Sequence, residues 1–473
     1  MRSSIPLLSL AASCVRAGTV AVGFSKQTLD HSVTITRRDN TLDLTALNNI
    51  TGGGYYAEFS IGTPGQKLSF LLDTGSSDTW VNSVDTDLCN SLSLQKTNGF
   101  CMTQFDPDES STYKVVDRNG FDITYLDGRR IRGDYFKDTV TIDGKQVKNQ
   151  QLGLAAKSVR PTGIMGLGFD TNVAAAEKYP TILDNLVSQG VIDTAAFSLY
   201  LNDLDTDSGT VLFGGIDTKK FIGNLSTLPL VPDFQSTSNN ITSFTVEMDS
   251  FSVTTKDGDD DVRLDNMNAD AILDSGSTIC LLPDSQVKDI YDAFDIRTIQ
   301  GVSVPFVDCA YADSKGDGIT FNFAFKGKTI KVPMDEMVVN SFASVQDQIM
   351  GDSELSQIFD GWKGACMFGI GSASDYGVDD SSFALLGDTF LRSAYVVYDL
   401  TNQQIGLAEA NVNATGSDVV EFKAGDKDLP SVTGVDASDS SSDGNDNAGE
   451  RLLAGPAMVA SVFVAVGAAA FML

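Results

Sequence analysis

The sequence predicts a mostly-β protein made of two similar lobes with a cleft between them, and three observations point there. Short β-branched and aromatic runs, broken by Gly, Asp, Asn and Ser turns, fill residues 51–411, and helical patterns are few. An apolar run ending in Asp, a hydroxyl residue, Gly and Ser occurs twice, and each copy is followed later by an apolar pair and a glycine. Two copies in the same order imply two lobes, each using half of the body. The chain has 473 residues, which is about three times a typical domain and room enough for such a body.

Taken in order, residues 55–61, 68–72, 121–125, 139–142, 209–213, 321–325 and 395–398 read as strands. Residues 174–177, 182–188 and 285–294 read as helices. The first repeated element is Phe70-Leu71-Leu72-Asp73-Thr74-Gly75-Ser76, answered by Ala271-Ile272-Leu273-Asp274-Ser275-Gly276-Ser277. The second is Gly163-Ile164-Met165-Gly166-Leu167, answered by Ala384-Leu385-Leu386-Gly387-Asp388. An aspartate before glycine most often caps its own turn, but duplication in context favours a shared chemical role for Asp73 and Asp274.

Composition narrows the chemistry. Hydrophobic residues make up 42% and charged residues 20%, an ordinary globular balance. With 33 basic against 63 acidic side chains the net charge is -30, which repels nucleic acid and attracts basic peptides. The one histidine, His31, lies in a segment expected to be removed. A mature chain without imidazole excludes Ser-His-Asp and Cys-His hydrolases and histidine zinc sites. No metal site is expected: Asp203, Asp205 and Asp207 resemble a calcium loop, but the glycine comes late and Gly214 stands where glutamate is needed.

Both ends read as addresses. Arg2, the apolar run 5–10 and small residues at Ala17 and Gly18 fit a signal peptide over 1–17. The pair Arg37-Arg38 resembles a dibasic processing site, which makes 18–38 a propeptide. Residues 457–473 are uncharged and follow the small triplet Asn447-Ala448-Gly449, the pattern of a glycosylphosphatidylinositol signal with Asn447, Ser442 or Gly444 as attachment residue. A plain membrane helix is the alternative reading of that tail. The expected organisation is thus an N-terminal lobe over 39–225, a C-terminal lobe over 226–412, a disordered stalk over 413–447 and a removed tail over 448–473. Sequons at Asn49, Asn224, Asn240 and Asn413 fit an exported, surface-held protein.

Five cysteines remain once Cys14 leaves with the signal, so at least one thiol stays free or pairs between chains. The expected bridges are Cys89 with Cys101 and Cys309 with Cys366, leaving Cys280 in an apolar run as a buried, inert thiol.

Over residues 51–412 the chain resembles the pepsin-type aspartic endopeptidases. The likeness rests on Ile61-Gly62-Thr63-Pro64, the run Asp73-Thr74-Gly75-Ser76-Ser77-Asp78-Thr79-Trp80, residues 105–113, Phe213-Gly214-Gly215-Ile216-Asp217 and Leu386-Gly387-Asp388. The lipid-anchor pattern and the loop between Cys89 and Cys101 give it the look of the fungal yapsin-like branch. The resemblance implies a bilobal pepsin-like fold and a water held between Asp73 and Asp274, which share one proton; pepsin is the standard example of that coupling. It implies that Thr74 and Ser275 tie the two loops together, with serine at 275 where threonine is usual. It implies that Gly75 and Gly276 let backbone approach the carboxyls, that Ser76, Ser277 and Thr278 support them, and that Gly166 and Gly387 lie beneath. Residues 122–128 resemble the flap hairpin, with Tyr125 directed towards Trp80 and Leu126 in place of a common glycine. Asp127, at the flap tip, implies a preference for basic residues near the scissile bond. No cofactor is implied, the partners are peptide or protein substrates, and one chain suffices because both lobes supply the site. A glycoside hydrolase also uses two carboxylates but predicts unlike acid contexts. A catalytically inactive cell-wall binding protein on the same fold would be expected to lose one aspartate.

Overall fold

In a computed structural model, the described residues are 18–27, 36–38, 41–43 and 54–437 except 207, 234–238, 256–259, 265–268, 300–301, 303 and 379–380. The expected signal peptide over 1–17, the sequon at Asn49, the expected attachment residue Asn447 and the apolar tail lie outside them.

Alternating apolar residues form the strands, which pair mostly antiparallel. All seven expected strands form, most of them longer than expected: residues 121–124 are the end of Lys114–Thr124, with Tyr125 just beyond it, and residues 139–142 the end of Arg130–Ile142. The helix Ile182–Ser188 forms as expected, opened by a capping box between Thr181 and Asp184, and Asp284–Phe294 begins one residue early. The expected helix over 174–177 is absent. The Ala174 N–H is instead drawn to the Asp78 carboxylate at 2.6 Å, and Pro180 follows closely, so a tertiary contact outweighs the local alanine propensity.

A thirteen-stranded sheet runs from Phe221–Pro229 at one edge to Lys114–Thr124 at the other. Its middle carries strands from both halves of the chain: Ala196–Tyr200 pairs with Ser208–Phe213 on one side and with Ala394–Asp399 on the other. Aromatic rings fasten this junction. Phe197 stacks on Tyr398 at 4.8 Å, and Phe244 meets Tyr398 edge-on at 4.7 Å. The C-terminal half has its own eight-stranded sheet, with Phe251, Phe321, Phe323 and Phe390 in its core.

Two expectations about boundaries meet different structure. Within the expected propeptide, Val20–Gln27 is an interior strand, paired with Ser208–Phe213 and with Gly54–Ile61, and Val20 and Phe24 are buried in the core. Residues 413–437, expected to open a disordered stalk, lie on the body, and residues 438–447 of that stalk fall outside the described residues. Val419–Glu421 pairs with Gly215–Asp217, and Phe422 and Leu429 are buried against Ile216, Phe221 and Tyr395. The polar composition hid a few well-spaced apolar anchors.

Disulfides join Cys89 to Cys101 and Cys309 to Cys366. Cys280 is free and buried, and burial pushes its thiol up to about 11, as suits an unreactive core residue. Asn224, Asn240 and Asn413 are exposed.

Candidate active site

Each acid loop begins where a parallel strand pair ends. Gly163–Gly166 lies parallel to Gln66–Asp73 with Gly166 opposite Asp73, and the Leu167 N–H donates to the Asp73 carbonyl at 2.8 Å. In the other lobe Phe383–Leu386 lies parallel to Ala269–Leu273, and the Asp274 N–H donates to the Leu386 carbonyl at 3.0 Å. A Cβ on Gly166 would stand 2.5 Å from the Ser77 carbonyl carbon, and one on Gly387 2.4 Å from the Ser277 oxygen. Only glycine lets these strands press so closely beneath the loops.

The loops are cross-tied. Thr74 Oγ1 donates to the Leu273 carbonyl at 2.8 Å and accepts from the Ser275 N–H at 2.9 Å. Ser275 Oγ donates to the Leu72 carbonyl at 3.0 Å and accepts from the Thr74 N–H at 3.2 Å. Serine at 275 therefore completes the tie without a methyl group.

The carboxyls sit in matching cradles. Asp73 Oδ1 accepts from the Gly75 N–H at 2.9 Å and Oδ2 from Ser76 Oγ at 2.5 Å. Asp274 Oδ1 accepts from the Gly276 N–H at 2.8 Å and Oδ2 from Ser277 Oγ at 2.6 Å. Thr278 holds the second loop through its carbonyl, which accepts from the Thr389 N–H at 3.2 Å. The two carboxyls face one another across Gly276, whose Cβ position lies 2.3 Å from Asp73 Oδ1 and 3.1 Å from Asp274 Oδ1. A Cβ on Gly75 would fall 2.5 Å from Asp274 Oδ1, and one on Gly276 2.3 Å from Asp73 Oδ1, so glycine is required at both.

Burial and then the negative charge of Asp274 push Asp73 up to about 7, against the pull of the Ser76 and Gly75 hydrogen bonds. Asp73 thus keeps its proton to higher pH than a free aspartate does, beside the second carboxyl that helps to raise it. Such a pair can accept a proton from water with one carboxyl and give one with the other.

The flap is the hairpin of Lys114–Thr124 and Arg130–Ile142, closed by the bond from the Tyr125 N–H to the Arg129 carbonyl at 2.9 Å. Trp80, wholly buried, donates its indole N–H to Tyr125 Oη at 2.7 Å. Leu126 is exposed at the tip. Asp127 also sits there, but its carboxylate is engaged: Oδ2 accepts from Arg160 Nη2 at 2.9 Å, and Oδ1 from the Arg129 N–H at 2.9 Å. The flap-tip acid expected to meet a basic substrate already faces a cation of its own chain.

Several residues at the site escaped the sequence reading. Asp78 is buried and accepts from Tyr135 Oη at 2.8 Å and Tyr179 Oη at 2.6 Å, bracing the strand that carries Trp80. Its place in the motif run was the available signal. Asp388 is wholly enclosed near Asp274, and burial holds its carboxyl well above the usual carboxylate range. The Arg160 guanidinium lies 4.8 Å over the Tyr125 ring, and nothing in the sequence around Pro161 marks it. Among the described residues no group of His, Cys, Asp and Glu could hold a metal ion, and no helix is long and apolar enough to cross a membrane.

Twin acid loops under one hairpin define an aspartic protease site, and the chain belongs to the eukaryotic aspartyl proteases, whose family pattern matches residues 54–410. Fungal relatives are similar over most of that length. The probable aspartic-type endopeptidase opsB of Aspergillus fumigatus is 35% identical over 406 residues, covering 84% of this chain and 77% of its own. The acid protease of Saccharomycopsis fibuligera is 35% identical over 75% of this chain and 80% of its own. Candidapepsin of Candida tropicalis is 33% identical over 77% and 81% respectively.

Proposed function

We propose that this chain is a secreted, surface-anchored endopeptidase that hydrolyses peptide bonds in acid, with Asp73 and Asp274 as its catalytic pair. A water between the two carboxyls loses a proton to the ionised one as its oxygen attacks the scissile carbonyl carbon. The protonated carboxyl gives its proton to the carbonyl oxygen, and collapse of the tetrahedral species passes a proton to the leaving nitrogen. The loop N–H groups and the hydroxyls of Ser76 and Ser277 hold the carboxyls in place, while Tyr125 and Trp80 order the flap over the peptide.

The observation that carries this reading is the matched pair of cradles around two facing carboxyls. The same pair argues against an inactive binding protein. The test is digestion of a denatured protein in acid, with and without pepstatin, by the wild type and by Asp73→Asn and Asp274→Asn. Cleavage that survives either substitution, or that ignores the inhibitor, would refute it.

Export and anchoring rest on the end signals, the disulfides and the exposed sequons. With an apolar tail and a small-residue triplet, the chain also fits the yapsin-like branch. Release of the protein from intact cells by a phosphatidylinositol-specific phospholipase tests the anchor. A single chain carries both carboxyls, which supports a monomer. Cleavage after Arg38 would free the strand Val20–Gln27 from the chain and leave two strand edges to be refilled or kept paired, so the mature protein's N-terminal sequence and total mass decide between these. The occupied carboxylate of Asp127 weighs against a preference for basic residues.

A further inference from the structure

The cleft wall at the flap tip sets two guanidinium groups against one carboxylate. Arg160 Nη2 bonds Asp127 Oδ2 at 2.9 Å, and Arg129 Nε stands 3.7 Å from the same oxygen. The side chains of Arg160, Arg129 and Asp127 are 17%, 24% and 31% exposed, so each is largely sheltered from bulk water. The Arg160 guanidinium lies over the Tyr125 ring, and Tyr125 accepts from Trp80 on Thr79–Asn82, the strand that follows the Asp73 loop, so this wall continues from the first acid loop.

We propose that Arg160 is a specificity-determining residue: by occupying Asp127, and with Arg129 beside it, it makes the subsite under the flap discriminate against lysine and arginine in favour of neutral or acidic side chains. The proposal rests on the endopeptidase reading above. A substrate lysine could reach Asp127 only by displacing Arg160. That exchange replaces one cation by another at the same oxygen and gains nothing in charge. The displaced guanidinium, whose Nε is buried without a hydrogen-bond partner, would lose its counter-ion as well. A cation that left the pair intact would stand beside the like charges of Arg160 and Arg129, a repulsive element of the kind that sets specificity. The chain's net charge of -30 attracts basic peptides from a distance, but screening over about 8 Å leaves the choice within the subsite to its nearest groups.

The test uses two apolar peptides that differ only in lysine or methionine on the N-terminal side of the scissile bond, assayed at a pH of about 5, where lysine is fully charged. The readout is the ratio of kcat/KM for the lysine peptide to that for the methionine peptide. The expected wild-type ratio is below about 0.3, and Arg160→Met raises it about tenfold by freeing Asp127. Adding Asp127→Asn to that variant brings the ratio back down, and Arg160→Lys leaves it low. A wild-type ratio above unity, or a ratio unmoved by Arg160→Met, overturns the proposal. Damage to folding lowers both peptides alike and leaves the ratio fixed, and the wild-type ratio needs no variant at all. If the wild type cleaves neither peptide, the endopeptidase reading itself fails.

Discussion

Ser275→Ala tests whether the tie between the acid loops sets both stability and chemistry. The substitution removes the donor to the Leu72 carbonyl at 3.0 Å and the acceptor for the Thr74 N–H at 3.2 Å. Ser275 and Thr74 are 1% and 2% exposed, so water cannot replace either bond without rearrangement. Two lost bonds at about 1 kcal/mol each, with stranded polar groups at about 1–3 kcal/mol, give an expected loss of about 2–5 kcal/mol. The Thr74 hydroxyl still links Leu273 to Ser275, so the lobes remain joined on one side and the protein folds. The carboxyl pair loses half of its fixing, and kcat should fall by about 10- to 100-fold, since small misplacements of reacting groups are costly. Urea unfolding followed by fluorescence of buried Trp80, beside peptide kinetics, reads both quantities. Ser275→Thr keeps the hydroxyl and should stay within about 1 kcal/mol of wild type. A loss below about 0.5 kcal/mol for Ser275→Ala with kcat unchanged would show that the tie does not carry the site.

Four other outcomes are expected. Because the Asp73 carboxyl is raised to about 7, its protonated form favours the fold: that contribution is complete below the ordinary carboxylate value of 3.8 and is lost as pH rises through about 7. Unfolding free energy should therefore fall between acid and neutral pH by up to about 4 kcal/mol, and Asp73→Asn should flatten the curve; an unchanged slope would contradict the shared proton. Asp78→Ala strands the hydroxyls of Tyr135 and Tyr179 and the Ala174 N–H, and a melting curve should show about 3–5 kcal/mol of destabilisation. Tyr125→Phe leaves the Trp80 indole N–H without its acceptor, so kcat/KM should drop about tenfold with a stability change near 1 kcal/mol; a purely thermal effect would argue against a flap role. Phe422→Ala should cost about 3–5 kcal/mol if residues 413–437 are part of the folded body, and close to nothing if they are a stalk.

The duplicated Asp-hydroxyl-Gly-Ser runs made the site legible before any coordinates. The repeat singled out Asp73 and Asp274, and the family resemblance implied the loop tie of Thr74 with Ser275 and the close approach at Gly75 and Gly276, which the structure places there. The Tyr125–Trp80 bond was equally readable as a flap pattern. What failed was local reasoning about segments whose partners are distant. Residues 174–177 carry helix-forming alanines, yet Asp78, 96 residues earlier, takes the Ala174 N–H. Residues 413–437 are polar in composition, yet Phe422 and Leu429 find a ready groove.

The order of residues thus determined the fold class, the twin lobes and the identity of the paired acids, since periodicity and a repeated motif are properties of the chain itself. Tertiary structure alone decided the charge environment. Asp127 reads as a free acid in the chain, and only folding brings Arg160, 33 residues away, onto its carboxylate and over Tyr125. Electrostatic partners are set by distance in space, which the spacing of letters along a chain does not fix.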